Sequence, residues 1–225
     1  MTTYIPTGEL TGLLDDVMGF ACPDPELPRI HAVRLDFDGE ALHASATDDM
    51  HAGMSTWHPG DLPESATQEG LFSRVGGRDD PWSIVIALSD AADLAKKVKL
   101  KEKDRWVPLG LDFIQGVTDE HRLRVARNTD CGYPGLAVTV LDRDVDMPNV
   151  RRGLDINVIP FPVAEMEFNP LLLAHFGAVR MRGDSMRLVY TGPDTPAIVT
   201  IGDRFIGGIK PVRKSSRRLS SVAAA

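Results

Sequence analysis

The sequence repeats one pattern three times, and this repetition constrains the fold more than any single residue does. Each repeat has an extended segment, a helix with apolar residues at helical spacing, and then several short strands. The extended-plus-helix segments begin about 80 residues apart and cover Tyr4–Met18, Ile84–Val98 and Met166–Phe176. Because repeated units bury one face by lining up beside each other, we expect an α+β protein in which each unit is one helix on a small antiparallel sheet.

Local signals place the helix starts and the strands. Thr7, Ser89 and Asn169 stand where a helix cap belongs, and Asp38-Gly39 predicts a hairpin between strands at 30–37 and 41–46. Further strands are predicted at Met50–Trp57, Trp82–Ala87, Val107–Ile114, Arg122–Arg127, Leu136–Val145, Val179–Arg182, Met186–Thr191, Ala197–Ile201 and Phe205–Val212.

Composition excludes several classes of protein. The chain has 225 residues, 43% hydrophobic and 25% charged, which is typical of a globular protein with a real core. No apolar run reaches membrane-spanning length, the N-terminus lacks a leader pattern, and two cysteines are too few for a disulfide scaffold. The formal net charge of −7 argues against nucleic-acid binding over the whole surface, although a local basic face remains compatible with it.

Four stretches of sequence resemble the DNA sliding clamps, and in particular the bacterial beta subunit of DNA polymerase III. They are IPTGELTGLLDDV, LHASATDDMHAG, DMPNVRRGL, and AEMEFNPLLLAHF followed by IGGIKPVR, and their order and spacing agree over most of residues 4–213. The chain departs from the family in having three apparent half-domains where a bacterial clamp has six. It also carries Asp49, Met50 and His51 where the family has Gly-His-Arg, and a tail that the family lacks.

The resemblance implies a domain organisation and a function. We expect clamp half-domains at residues 1–80 (with a linker at its end), 81–154 and 155–213, then a disordered basic tail at 214–225. A sliding clamp is a processivity factor and not an enzyme: a ring around duplex DNA that tethers a replicative polymerase. Clamp rings have twelve half-domains, so three per chain predict a head-to-tail homotetramer, with a trimer as the alternative. The small size favours a bacterial virus, acting in the cytoplasm of its host cell.

The second helix carries the candidate DNA contacts. Sliding requires loose contacts to phosphates without reading of the base sequence, and lysines on an exposed helix face supply these. Five lysines on and just after the helix are predicted to face DNA: Lys96, Lys97, Lys99, Lys101 and Lys103. The other two helices contribute less, because the first carries Asp15 and Asp16 and the third only His175.

The resemblance also implies a pocket for short hydrophobic peptides of partner polymerases, on the outer surface of the ring. Methionine and valine give such a pocket an adaptable apolar floor, and arginine can hold a peptide carbonyl or carboxylate. The matching positions are Thr47, Met50, His51, Pro148, Arg152, Pro211, Val212 and Arg213.

Two other functions remain open from the sequence. One is a clamp-fold adaptor or inhibitor that does not encircle DNA, which the acidic first helix favours. The other is a metal-dependent nucleic-acid enzyme using the alternating Asp142, Asp144 and Asp146. The histidines and cysteines lack metal-ligand spacing, so we expect neither a metal site nor a cofactor.

Overall fold

The structure is a computed structural model that describes residues 2–61, 81–101, 104–114, 122–127, 136–139, 146–154, 160–162, 166–179, 183, 185–192 and 195–212. The helices in these ranges are α1 (Thr7–Met18), α2 (Leu88–Val98), α3 (Val150–Leu154) and α4 (Pro170–Ala178), with a 3-10 turn at Pro59–Asp61. None of these helices is long and apolar enough to cross a lipid bilayer.

The strands form two antiparallel sheets. Their bounds are β1 (Thr2–Pro6), β2 (Ala32–Phe37), β3 (Leu42–Thr47), β4 (His51–Trp57), β5 (Trp82–Ala87), β6 (Pro108–Ile114), β7 (Arg122–Arg127), β8 (Leu136–Thr139), β9 (Met186–Val189), β10 (Ala197–Ile201) and β11 (Phe205–Ile209). The order is β1-β6-β7-β8 in the smaller sheet and β5-β2-β3-β4-β11-β10-β9 in the larger. The predicted α+β class of small antiparallel sheets with helices is therefore confirmed.

The first unit (β1, α1, β2–β4) and the second (β5, α2, β6–β8) exchange their leading strands. Strand β1 pairs with β6 from Thr2 opposite Asp112 to Pro6 opposite Pro108, and β5 pairs with β2 along its whole length. Helices α1 and α2 pack against each other between the sheets, and side chains of both belong to one hydrophobic core. Neither unit can therefore complete its sheet without the other.

The third unit (α4, β9–β11) joins the first through a single strand pair, β4 with β11. Gly53 lies opposite Gly207 at the middle of this pair. A Cβ atom on Gly53 would lie 2.7 Å from the Phe20 ring, and one on Gly207 would lie 2.6 Å from the Phe176 ring and from the Ala52 carbonyl oxygen. The two glycines thus let an aromatic ring from each side pack directly on the backbone.

Two of the three predicted helix caps are wrong. Helix α1 begins at Thr7 itself without a side-chain cap, and α2 begins at Leu88, so Ser89 is already inside it. The first N–H groups of α1 instead donate to a neighbouring segment: Thr7 N to Val107 O at 2.9 Å and Gly8 N to Arg105 O at 2.8 Å. The third cap is confirmed, because the Asn169 side chain accepts a hydrogen bond from Leu171 N and Pro170 is the first helical residue.

Several strand boundaries agree with the sequence prediction, and some do not. The predicted bounds Trp82–Ala87, Arg122–Arg127 and Ala197–Ile201 are confirmed, whereas β11 ends at Ile209 instead of Val212. Helix α3 was not predicted. Most of the predicted strand Val179–Arg182, the later part of Leu136–Val145, most of the linker before residue 81 and the basic tail lie outside the described residues.

Candidate functional site

A short helix packs on the face of the larger sheet opposite α1 and α2. Val150 and Leu154 of α3 are buried there with Ile198 of β10, and partly buried Met54 and Ile206 pack around them. The core that contains α1 and α2 is a separate cluster on the other face of the sheet. The two faces of the larger sheet therefore differ: α1 and α2 pack on one face, and the short helix α3 packs on the other.

A pocket of about 190 Å³ opens beside α3. Its floor is mainly apolar, and residues from three regions far apart in the sequence converge on it. The lining residues are Thr47, Asp49, Met50, His51, Ala52, Pro148, Asn149, Val150, Gly153, Leu154, Pro196, Gly208 and Lys210.

The structure brings four of the eight predicted pocket residues together: Thr47, Met50, His51 and Pro148. The other described members lie outside the lining. Arg152 is exposed on α3 with its N–H bonded to the Asn149 side chain, and Pro211 and Val212 continue past β11, where Val212 N donates to Glu167 O at 2.8 Å. Arg213 lies outside the described residues.

The hairpin tip between β3 and β4 holds the rim of the pocket in place. The Asp48 carboxylate accepts hydrogen bonds from Met50 N at 2.9 Å and His51 N at 2.8 Å, and Thr47 Oγ1 donates to His51 O at 2.8 Å. Asp49 takes a φ of 71°, a conformation that aspartate tolerates better than most residues. Lys210 N then donates to Met50 O at 2.9 Å, which joins the tip to the third unit.

Behind the rim, a chain of hydrogen bonds links the first unit to the third. Asp48 Oδ1 lies 2.7 Å from His51 Nδ1, and His51 Nε2 lies 2.6 Å from His175 Nδ1 on α4. A carboxylate can only accept, so His51 Nδ1 carries the proton towards Asp48; in the neutral ring Nε2 then accepts from His175. Burial would raise the pKa of Asp48, but its hydrogen bonds with His51 lower it overall. Burial, and next the nearby His51, lower the pKa of His175.

Sequence reasoning missed nine of the thirteen residues that line the pocket. Val150 and Leu154 stand four residues apart just after Asn149, whose side chain accepts from Arg152 N, and this spacing could have predicted the short helix α3. Pro196 and Lys210 carry no comparable signal. They reach the pocket only because β11 pairs with β4, which no local pattern predicts.

Comparison with known proteins identifies the architecture. No protein-family model matches the chain, and no curated protein matches it in sequence. Solved structures do match: the DNA polymerase III beta subunit of Thermotoga maritima (TM-score 0.68, 10% identity), a DNA polymerase sliding clamp from Pseudomonas aeruginosa (0.65, 13%) and a putative DNA polymerase III beta subunit from Eubacterium rectale (0.69, 8%). Each match covers 95% of this chain and 65% or 66% of the other, so the chain spans just under two thirds of their length.

This chain has the sliding-clamp fold. The resemblance inferred from the four sequence stretches is thereby confirmed at the level of the fold. In this clamp fold the pocket and the lysine-bearing helix α2 lie on opposite faces of the larger sheet, because α3 and α2 belong to the two separate clusters.

The described lysines of the predicted DNA contact are exposed, as that prediction requires. Lys97 Nζ lies 3.4 Å from Asp93 Oδ2 on the same helix, and Lys99 Nζ lies 3.9 Å from Asp15 Oδ2 of α1. Lys96 and Lys101 are exposed too, and Lys103 lies outside the described residues. Two of these positive charges thus have acidic neighbours, which reduces the local positive potential.

Helix α1 offers little surface for DNA. Asp16 is buried and accepts a hydrogen bond from Ser55 Oγ at 2.7 Å, so it holds α1 on the sheet. Asp15 is its exposed charged side chain. In α4, His175 is bonded to His51.

Most of the candidate aspartate-based metal site lies outside the described residues. Within the residues it describes, no group of three or more His, Cys, Asp or Glu side chains is placed to hold a metal ion. Asp146 is exposed, while Asp142 and Asp144 lie outside the described ranges.

Proposed function

We propose that this protein is a non-enzymatic DNA sliding clamp that forms a homo-oligomeric ring around duplex DNA and tethers a polymerase to it. The observation that carries the proposal is the pocket: segments around residues 47–52, 148–154 and 196–210 converge on the face of the larger sheet opposite α1 and α2. The sequence resemblance implies a partner site at four of these positions, on the outer surface of the proposed ring. With half-domains at 1–80, 81–154 and 155–213 in each chain, four chains give a ring of twelve half-domains. A trimer is the alternative. The proposed setting is the cytoplasm of a bacterial host cell, with a bacterial virus as the source.

The proposed occupant of the pocket is a short hydrophobic segment of a replication protein. Val150, Leu154 and Pro148 give an apolar floor, and Met50 at the rim can adapt its shape to different side chains. A volume of about 190 Å³ accommodates one or two apolar side chains, so the affinity should be modest, roughly micromolar.

A rim substitution tests the pocket without disturbing the core. Met50 is exposed, so Met50→Asp should leave the fold intact while placing a charge beside the bound apolar side chains. We expect the affinity for a polymerase-derived hydrophobic peptide to fall at least tenfold, measured by fluorescence polarisation. Val212→Asp is the matched control, because Val212 has similar exposure and does not line the pocket. Equal loss in both variants would extend the site along residues 211–213; no loss in Met50→Asp would place it elsewhere.

DNA encirclement has its own experiment. A ring stays on a closed circular duplex and slides off the ends of a linear one, so retention on the circle after loading is the signature of encirclement. The triple variant Lys96→Glu, Lys97→Glu, Lys99→Glu should lower retention and flatten its salt dependence, since fewer counterions are released. Unchanged retention would show that α2 does not face DNA.

One observation favours a second candidate, a clamp-fold adaptor or inhibitor. Asp15 on α1 and Asp93 on α2 lie close to two of the candidate lysines, which weakens the basic face. This function predicts peptide binding at Met50 but equal recovery of circular and linear DNA.

A further inference from the structure

The third unit leaves its core-facing surface uncovered. Met186 and Leu188 of β9 are opposite Ile201 and Val199 of β10, and these two partners are buried in the main core. Residues opposite each other on paired strands share a face, so Met186 and Leu188 also point to the core side. Yet Met186 is 47% exposed and Leu188 37%.

The equivalent strand of the first unit shows what normally covers this face. Strand β2, like β9, is the first strand after the helix of its unit, and its core-facing Val33, Leu35 and Phe37 are all buried. They are buried because the second unit supplies both a leading strand, β5, and a helix, α2, against β2. Among the strands that the structure describes, β9 is at the edge of the sheet, and directly after its end Phe161 N donates to Tyr190 O at 2.8 Å.

Helix α4 is also less buried than its counterpart in the first unit. In α1, which packs on α2, nine residues are buried, whereas Phe176 is the one buried residue of α4. Leu171 at the start of α4 is 74% exposed. The exposed apolar side chains Leu171 on α4 and Met186 and Leu188 on β9 make up the uncovered surface of the third unit.

We propose that a second copy of this chain covers that surface, third unit against third unit, with α4 packing on α4 of the partner as α1 packs on α2. The first two units are both of this type and complete each other, so the complement that fits the third unit is another unit of the same kind. A contact between identical surfaces is isologous and has a two-fold axis. This contact would be one of those that close the proposed ring. It rests on the proposed clamp function only for the other contacts of that ring.

This contact differs from the head-to-tail one expected from the repeat count. The head-to-tail expectation assumed that the three units lie side by side in their order along the chain. The strand order instead places the first unit between the other two. Among the described strands, the sheet edges are β1, β5, β8 and β9. Strands β1 and β5 are the exchanged leading strands, so the edges left at the second and third units are β8 and β9, which hold different positions in their units. The β4–β11 pair joins the last strands of two units, so two β8 strands can pair in the same way and close an even-numbered ring.

Mass measurement on the full chain tests the surface. We expect the parent to have an even multiple of the 24.6 kDa chain mass by light scattering, and the double variant Leu171→Glu, Leu188→Glu to have half that mass with unchanged circular dichroism. Leu27→Glu is the control, since Leu27 is 47% exposed in the loop after α1, and it should keep the parent mass. A monomeric or trimeric parent, or an unchanged mass in the double variant, would overturn the proposal.

Cross-linking tests the symmetry. The middles of two helices related by a two-fold axis across them meet at that axis, so exposed Ala174 at the middle of α4 should lie near its own copy. With Cys22 and Cys131 changed to serine, Ala174→Cys should give a covalent dimer with a short bis-maleimide, and Leu27→Cys should not. A head-to-tail ring would retain circular DNA but give no dimer through Ala174→Cys, so this contact can fail while the clamp function stands.

Discussion

The two junctions of the first unit are built differently. Its junction with the second unit has two exchanged strands and two packed helices that share one core. Its junction with the third unit has one strand pair and no exchanged strand, although buried third-unit side chains such as Phe176 and Phe205 belong to the same core. The rings of Phe20 and Phe176 lie 4.8 Å apart between centroids, His51 bonds to His175, and Arg204 forms an ion pair with Glu9 of α1. The first junction is interlocked by exchanged strands, whereas the second is joined through one strand pair.

This difference indicates where the protein should open first. Local opening requires the loss of only the contacts that hold a region, and the third unit can leave by breaking one strand pair, whereas the first two units must also separate two exchanged strands. We therefore expect the third unit to separate from the first before the first and second units separate. The pocket spans the weaker junction, so its shape depends on β4 and β11 staying paired.

The largest effect is expected from a cavity in the interlocked junction. Leu94 of α2 is buried in the shared core, and Leu94→Ala should lower the free energy of unfolding by about 2–5 kcal/mol. Urea denaturation measures this loss, and Lys96→Ala, exposed on the same helix, should change it by less than about 0.5 kcal/mol. A small loss in Leu94→Ala would mean that the two units are not held by this core.

A smaller, more local effect is expected at the junction with the third unit. Gly207→Ala places a methyl group against the Phe176 ring and the Ala52 carbonyl, so one of them must move, at about 1–3 kcal/mol. Hydrogen exchange should quicken in β9–β11 and stay unchanged in β6 and β7. Gly177→Ala is the matched control, because a Cβ there meets nothing within 4 Å. Uniform acceleration throughout the chain would contradict the separation of the two junctions.

The smallest effect is a pH dependence confined to the weaker junction. The pKa of His175 is lowered from its ordinary 6.5 in the folded protein, so the unfolded state binds the proton more readily and stability falls as the pH drops below about 6.5. The pKa of Asp48 is also lowered, and its contribution persists until the pH falls below the ordinary 3.8. Between pH 7.5 and 5, the histidine effect therefore dominates at this junction.

His175→Gln separates this effect from others. We expect the variant to lose part of the decrease in melting temperature between pH 7.5 and 5. Burial, the largest influence, also lowers the pKa of His43, which adds a decrease in the same window to parent and variant alike. Identical pH profiles would show that the His51–His175 contact does not respond to protonation.

Local patterns predicted much of the architecture but only part of the site. Strand bounds such as Ala197–Ile201 followed from apolar runs between turn residues, and Asn169 was recognisable as a cap because its side chain acts on its own helix. The start of α1 was not, since its N–H groups are satisfied by carbonyls about 100 residues away. Thr47, Met50, His51 and Pro148 came from resemblance, while Pro196 and Lys210 had no sequence signal.

The sequence by itself determined the repeated helix-and-strand unit, because periodicity and turn chemistry act between residues close along the chain. Only the tertiary structure decided which units are neighbours. It placed the third unit beside the first through the facing glycines Gly53 and Gly207, where the absence of side chains lets Phe20 and Phe176 approach the backbone. Strand pairing between distant segments depends on such shape complementarity, which a linear pattern does not encode, and the pocket, the histidine contact and the uncovered face of β9 all follow from it.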